Sequence, residues 1–337
     1  MVTMLRFILL VFLLVPCAVA AQTVTTKEPY WKQLMHAKGY VVGQQLALEE
    51  IEQRFPDLGR EVRSSWFAFN STALGESAKA VDVELSNLLG DKWPSVEEKL
   101  LEESASFVID QEFTHQQAVD FLAEVHDRAR GDMPKPILAT LLAVNPRFVR
   151  HPEREINSGW RQTFRTKGHP KAKGVDFSVS FPASWSAREG DRPNIIQFFQ
   201  SEAGNGNVFG GLIVQNLPSL GGYILTRRDL EEFFSEELDE MIPEGASLIE
   251  SKQIVLEKLP AGLMIYDMTE KRLDAEIDMR VTQFVTIYNT SMIFIQLMIS
   301  DIETSGPSLI DLQKKYYPLF MAIANTLVIN EKYKSFR

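Results

Sequence analysis

Residues 174–185, GVDFSVSFPASW, decide the fold class of the second half of the chain. Apolar and polar side chains alternate here with a period of two, which is typical of a strand with one buried face. The buried face is predicted to carry Val175, Phe177, Val179 and Phe181. Pro182 has no N–H group to donate to a sheet, so we expect the strand to end there.

The residues that follow predict an antiparallel sheet. Two apolar runs, 194–200 and 208–215, flank Gly204-Asn205-Gly206-Asn207, which is a turn signal. These glycines could also form a phosphate cradle, but such a loop lies between a strand and a helix N-terminus, so a hairpin is favoured. Further strands are predicted at 251–258, 261–269, 277–288 and 291–300. The last of these is apolar on both faces, which indicates a central strand.

Two helices complete this half of the chain. Residues Arg228–Met241 are amphipathic, and Leu309–Val328 has apolar residues spaced for one buried face. Together the elements predict an α+β fold over residues 174–330, in which one antiparallel sheet carries helices on both faces.

The order of these elements resembles the PsbP-like fold. The resemblance rests on the opening GVDFSVSFPASW and on the closing LFMAIANTLVIN at residues 319–330, and it covers about half of the chain. The family includes photosystem accessory proteins and a nuclear Ran-binding protein, and its members mostly bind other macromolecules without catalysing a reaction. The resemblance therefore implies a binding function. No functional residue of the family matches a position here, so none is carried over.

Residues 30–145 are predicted to form a helical bundle. The expected helices are Tyr30–Phe55, Asp57–Leu89, one beginning near Ser95, one beginning at Thr114 and Ile137–Val144. Gln117 lies three residues after Thr114, which is the spacing of a capping box. The second helix is predicted to bury one apolar stripe: Val62, Trp66, Phe69, Ala73, Ala80, Val83 and Leu88.

Residues 146–173 are interpreted as a basic linker between the two domains. They hold eight Lys or Arg residues and two Glu residues, whereas the whole chain has a net charge of −10. Pro152, Gly159, Gly168 and Pro170 argue against regular elements. The arginines could pair with acidic faces of the two domains, or they could bind an anionic ligand or partner at the domain junction. The candidate binding residues are Arg150, His151, Arg154, Trp160, Arg161 and Arg165.

Residues 1–20 are predicted to be a secretory signal peptide. Arg6 precedes an apolar run from Phe7 to Val15, and Ala18-Val19-Ala20 supplies the cleavage site. The run is shorter than the roughly 20 residues that span a bilayer, so no transmembrane segment is expected in the mature chain. Cys17 could instead be the lipidated residue of a lipoprotein, but it follows Pro16, which fits that signal poorly. We therefore expect an exported protein, periplasmic in a Gram-negative host and otherwise secreted.

The composition of the chain argues against several classes of function. Cys17 is the only cysteine, so the mature chain is expected to hold no thiol or disulfide. An acidic chain has no general attraction for nucleic acid. The five histidines show no metal-ligand spacing and no G-x-S-x-G motif is present, so no metal, cofactor or catalytic residue is predicted.

The leading hypothesis is an exported, non-enzymatic binding or accessory protein of the cell envelope. Its partner would be an unknown protein or a small anionic ligand. The alternatives are an envelope hydrolase with a site at the domain junction, and a structural accessory protein that docks through an apolar patch.

Overall fold

The computed structural model describes residues 28–109, 113–217, 225–272, 275–301 and 307–336. The signal peptide predicted at residues 1–20 lies outside these ranges. The chain divides between Arg150 and His151 into two compact units, which we call the helical unit and the sheet unit.

None of the helices in the described ranges combines the length and the apolar character that a membrane crossing requires.

The described part of the helical unit is built from helices that pack around a shared apolar core. They are α1 Tyr30–Arg54, α2 Gly59–Asn70, α3 Ala73–Leu89, α4 Trp93–Ile109, α5 His115–Ala129, α6 Lys135–Ala143 and α7 Pro146–Arg150. Helix α1 packs against α3, α4 and α6, and α2 packs against α5. Leu34, Ile51, Leu74 and Leu85 are fully or almost fully buried in this core. Helix α5 begins with the predicted capping box between Thr114 and Gln117.

The predicted single helix Asp57–Leu89 is wrong, because two helices occupy this range. Thr72 leaves the helical conformation, and its Oγ1 accepts a hydrogen bond from the Leu74 N–H at 3.2 Å, which starts α3. One apolar stripe therefore does not continue through both helices. Trp66, Val83 and Leu88 are instead 50%, 58% and 51% exposed.

The sheet unit contains two antiparallel sheets. Its strands are β1 Arg161–Arg165, β2 Phe177–Pro182, β3 Ser186–Glu189, β4 Ile195–Gln200, β5 Val208–Asn216, β6 Ser247–Leu256, β7 Leu259–Arg272, β8 Ala275–Tyr288, β9 Ser291–Asp301 and β10 Val328–Ile329. Its helices are α8 Glu153–Asn157, α9 Arg227–Glu236 and α10 Leu309–Asn325.

The large sheet has the strand order β3-β4-β5-β9-β8-β7-β6. The predicted hairpin of β4 and β5 is confirmed by their antiparallel pairing. Strand β9 lies in the middle of the sheet, as its two apolar faces predict, and every residue of it except Asp301 is buried.

Strand β2, which carries the residues 177–182 of the opening stretch, does not belong to this large sheet. It pairs with β1 on one side and with the two-residue strand β10 on the other, in a separate sheet of order β1-β2-β10. The expectation of a single sheet is therefore wrong, because the basic segment supplies β1 and the chain after α10 supplies β10.

Helices cover both faces of the large sheet, so the predicted α+β class is confirmed. Helix α9 packs against β6 and β7 on one face, and Phe233 and Phe234 belong to the core on that side. Helix α10 packs against β8 and β9 on the opposite face, where the small sheet also contributes to the core.

Gly210 of β5 permits the close approach of the small sheet. Phe181 of β2 stacks on Phe199 of β4 with 3.7 Å between the ring centroids. A Cβ atom at Gly210 would lie 2.5 Å from Cε1 of Phe181, which no packed structure tolerates without a shift.

Residues 146–173 do form regular elements, contrary to the interpretation of this segment as an irregular linker. It contains α7, α8, β1 and the 3-10 turn Pro170–Ala172. Pro152 precedes the first residue of α8, and Gly159 and Gly168 have φ angles of 90° and 76° on either side of β1. The proline and glycines therefore delimit short elements instead of preventing them.

Candidate functional site

A cluster of amide side chains interrupts the apolar face of the large sheet on the α9 side. These side chains line a pocket, which we call the amide pocket. Its lining residues are Ile213, Gln215, Met241, Pro243, Tyr266, Gln283, Phe294 and Gln296. The pocket therefore combines three amides and a phenol with an apolar wall.

Strand pairing brings these residues together from four strands. The two-residue turn Asn289–Thr290 sets the register of β8 and β9 and places Gln283 directly opposite Gln296. On the other side of β9, Gly211 of β5 lies opposite Gln296. Gly211 is buried and has no side chain, and among the described residues a Cβ there would meet only the Gln296 carbonyl oxygen at 4.0 Å, so a small space lies beside the amides.

The buried amides of Gln283 and Gln296 bond to each other and to Tyr266. Nε2 of Gln296 donates to Oε1 of Gln283 at 3.1 Å and to the Tyr266 hydroxyl at 3.2 Å. The Tyr266 hydroxyl lies 3.5 Å from the same Oε1 of Gln283. All three residues are at most 7% exposed.

Gln283 keeps one unused donor group. Its Nε2 group has no acceptor among the residues that the structure describes, although the side chain is 93% buried. This nitrogen is not sealed from solvent, and Gln283 lines the pocket, so the pocket is where a partner atom can reach it. Water can bond to this nitrogen before a ligand enters the pocket, so a ligand acceptor gains only the net free energy of exchanging one hydrogen bond for another.

A second cluster of buried polar groups lies where α8 meets the turn after β2. Glu155 of α8 is 4% exposed, and its two carboxyl oxygens accept hydrogen bonds from the N–H and the Oγ–H of Ser184, both at 2.7 Å. Burial raises the pKa of Glu155 to about 7, although the hydrogen bonds from Ser184 act to lower it. Burial also raises the pKa of Tyr316 on α10, and the negative charges of Glu202 and Glu155 raise it further.

A left-handed turn lies on the other side of Ser184. Glu202, Ala203 and Gly204 have successive φ angles of 54°, 51° and 88°. The left-handed conformation costs roughly 1–2 kcal/mol for each residue that carries a Cβ. The Ala203 N–H donates to the Ser184 carbonyl oxygen at 2.8 Å, so Ser184 connects the buried acid to this strained turn.

The two clusters allow different chemistry. The amide pocket offers hydrogen bonds next to an apolar wall, which suits the binding of a ligand. An acid with a pKa near 7 and a hydroxyl that donates to it resemble a base and a nucleophile. Ser184 and Glu155 are each only 4% exposed, however, so a substrate could reach them only after local opening.

The binding residues predicted from the sequence lie on several different elements of the structure. Arg150 ends α7 and its Nε donates to the Pro146 carbonyl oxygen at 3.0 Å. Nδ1 of His151 lies 3.9 Å from Oε1 of Glu153. The backbone N–H of Trp160 donates to the Glu155 carbonyl oxygen at 3.0 Å.

The remaining predicted residues are arginines of α8 and β1. Arg165 binds the buried Asp176 through two hydrogen bonds of 2.9 and 2.8 Å, and this carboxylate raises the pKa of Arg165. Arg154 and Arg161 are exposed and form no hydrogen bond or ion pair through their side chains within the described ranges. The binding role of the six residues therefore stays a prediction.

In the part of the chain that the structure describes, no group of three or more His, Cys, Asp or Glu residues lies close enough to hold a metal ion. The residue pattern of the sequence predicts neither the amide pocket nor the buried Glu155. Two signals were present for the pocket, because Gln283 interrupts the apolar face of residues 277–287 and Gln296 stands inside a strand that is apolar on both faces. A polar residue at a core position requires a partner, and that requirement indicates a site.

No protein-family model matches the chain, and no curated protein matches it. Among solved structures, the chain is similar to the solution structure of cyanobacterial PsbP (CyanoP) from Synechocystis sp. PCC 6803. The two are 14% identical, the match covers 50% of this chain and 92% of that chain, and the TM-score is 0.30. Because this score is too low to transfer a fold or a function, the α+β class rests on the helices and sheets described above.

Proposed function

We propose that this chain is an exported, non-enzymatic binding protein and that its ligand enters the amide pocket. Export rests on the signal peptide predicted at residues 1–20. We also propose that the sheet unit belongs to the PsbP-like proteins, on the element order of residues 174–330.

The observation that carries the proposal is the unused Nε2 donor of Gln283. It lies in a pocket, it is 93% buried, and it lacks an acceptor among the described residues. Amide side chains hold ligands by hydrogen bonds, but they are not the groups that serve as nucleophiles or general bases. Binding is therefore the function that this geometry supports best.

The test is a titration of the full exported chain, labelled with ¹⁵N, in which the side-chain NH₂ signals of glutamine are observed by NMR. Acetamide and glycerol are the small neutral solutes, and we expect at least one of them to shift the Gln283 signal in a saturable way. The charged solutes acetate and ammonium should leave it in place, because none of the described lining residues carries an opposite charge. Gln253 on the exposed part of β6 serves as the internal control.

The variant Gln283→Leu identifies the signal and removes the donor, and Gln253→Leu is its matched control. The proposal is wrong if no neutral solute shifts the Gln283 signal, or if every solute shifts Gln283 and Gln253 alike.

A hydrolase remains the second candidate, because the Ser184 hydroxyl donates to Glu155 at 2.7 Å and Glu155 has a pKa of about 7. A fluorophosphonate, which labels activated serines, tests this reading. Labelling that is lost in Ser184→Ala would favour the hydrolase, and an absence of labelling at pH 8 would count against it.

A further inference from the structure

We propose that the group bound in the amide pocket is the hydroxymethyl group of a neutral primary alcohol, for which a hexose serves as the probe. This inference rests on the proposed function, since it names the ligand class for the same pocket.

The size of the pocket limits the group that enters. Its volume is about 30 Å³. One water molecule needs roughly 10–15 Å³ on this measure, so the pocket has room for about two non-hydrogen atoms. A hydroxymethyl group has two such atoms, whereas a carboxamide has three in one plane. Only the tip of a larger ligand therefore enters, and the rest stays at the mouth.

The lining excludes a charged tip. The described residues that line the pocket have amide, phenol and apolar side chains, and none of them is Asp, Glu, Lys, Arg or His. A carboxylate, phosphate or ammonium group would lose its hydration there without gaining an opposite charge, and that loss is large.

The hydrogen bonds favour a hydroxyl group. The Nε2 of Gln296 already donates to Gln283 and to Tyr266, whereas the Nε2 of Gln283 still requires an acceptor. A hydroxyl oxygen accepts that bond, and its own hydrogen stays available for donation to a second acceptor. An ether or a ketone accepts a hydrogen bond but does not donate one, so it would make fewer hydrogen bonds in the pocket than a hydroxyl group.

The apolar wall suits the carbon atom next to the hydroxyl. Phe294, Met241 and Ile213 line the pocket beside the amides, and each is buried in the core of the α9 face. A methylene group gains contact with these side chains, while a bare water molecule does not. A hydroxymethyl group combines the two requirements in the available volume.

Three methyl glycosides test the inference on the full exported chain, with the Gln283 side-chain signal as the readout. Methyl glucoside carries the hydroxymethyl group, methyl xyloside lacks only that group, and methyl glucuronide replaces it with a carboxylate. We expect saturable binding of the glucoside, binding of the xyloside at least about tenfold weaker, and no binding of the glucuronide. Gln283→Leu should weaken glucoside binding at least about tenfold, and Gln253→Leu should leave it unchanged.

The outcomes separate this inference from the proposed function. Equal binding of glucoside and xyloside overturns the hydroxymethyl assignment. A response to acetamide but to neither glycerol nor a glycoside overturns the hydroxymethyl assignment and leaves the binding function in place. No response to any neutral solute overturns both. The backbone amide spectrum of Gln283→Leu shows whether the variant is folded, so a loss of binding is not confused with unfolding.

Discussion

At the scale of single residues, Glu155 is the clearest case of a side chain whose environment opposes its ordinary charge. Its carboxyl group is almost fully buried, and among the described residues its hydrogen-bond donors come from Ser184 and the neighbouring Ala183 backbone, with no cationic partner. Burial disfavours the ionised form, which is why the pKa rises from 4.5 to about 7. The protonation state of one side chain therefore changes within the neutral range.

Glu155→Gln should change the pH dependence of stability. In the unfolded chain the carboxyl group ionises near 4.5, and in the folded chain it ionises near 7. Below pH 4.5 the Glu155 carboxyl group is protonated in both the folded and the unfolded chain, and its full contribution to stability is present. As the pH rises from 4.5 towards 7, the unfolded chain ionises first, so this contribution is lost. Glu155→Gln does not lose this stability, because the glutamine side chain does not ionise. Its free energy of unfolding relative to the wild type should therefore increase between pH 4.5 and 7, by about 3 kcal/mol at most.

Urea unfolding at pH 5, 6, 7 and 8 measures this difference. Glu153→Gln is the matched control, since Glu153 stands two residues away on α8 and is less buried. Parallel pH profiles for the wild type and Glu155→Gln would show that the folded-state pKa is not raised.

The central pair of the amide pocket could be predicted from the sequence, but the complete pocket could not. The sequence indicates a tight turn between the strands that flank Asn289-Thr290, and such a turn pairs Gln283 with Gln296. Gly211 reaches Gln296 only through the pairing of β5 with β9, which are far apart in sequence. Contacts of that kind depend on the strand order, and periodicity does not encode strand order.

At the scale of elements, two adjacent glycines of β5 have opposite surroundings. Gly210 faces Phe181 on the side that carries the small sheet, and a Cβ at Gly211 would lie on the opposite face, where its nearest described neighbour is the Gln296 carbonyl oxygen at 4.0 Å. The side chains of a strand alternate between its two faces, so an added methyl group clashes at Gly210 but has room at Gly211.

Gly210→Ala should destabilise the sheet unit by roughly 1–3 kcal/mol, because the added methyl group would overlap Phe181 and disturb its stacking on Phe199. Gly211→Ala is the matched control, since its Cβ would have no neighbour closer than 4.0 Å. Thermal and urea unfolding of both variants measure the effect. Equal stability of the two variants would contradict the close approach of β2 to the large sheet.

Elements with strong local signals were predicted well, and elements defined by tertiary pairing were not. The capping box at Thr114, the hairpin of β4 and β5 and the central position of β9 follow from local patterns. Strand β1 was missed because only five residues form it, and its exposed Arg161 and Arg165 do not look like core residues. Its partner β2 is what makes it a strand.

At the scale of the whole molecule, the basic segment belongs to the folded parts of the chain. The sequence places the start of the second domain at residue 174, whereas the compact sheet unit begins at His151. Between these points lie α8, which packs against α10 and β2, and β1, which pairs with β2 along its whole length. The prediction that residues 174–330 form a complete domain has not been tested, and the contacts of α8 and β1 argue for the longer span.

Two fragments decide between these boundaries. We expect residues 151–337 to unfold in one cooperative transition. Residues 174–337 should be less stable, because they lose the β1 partner of β2 and the buried Ile156 and Glu155 of α8. The burial of Ile156 alone contributes about 2 kcal/mol, and the bare edge of β2 would favour aggregation. Circular dichroism melts and dye binding to exposed apolar surface measure the difference, with residues 159–337, which keep β1 but lack α8, as an intermediate case. If residues 174–337 melt at the same temperature as residues 151–337, then α8 and β1 are additions to a domain that is already complete. The boundary at residue 174, predicted from the sequence, would then be correct.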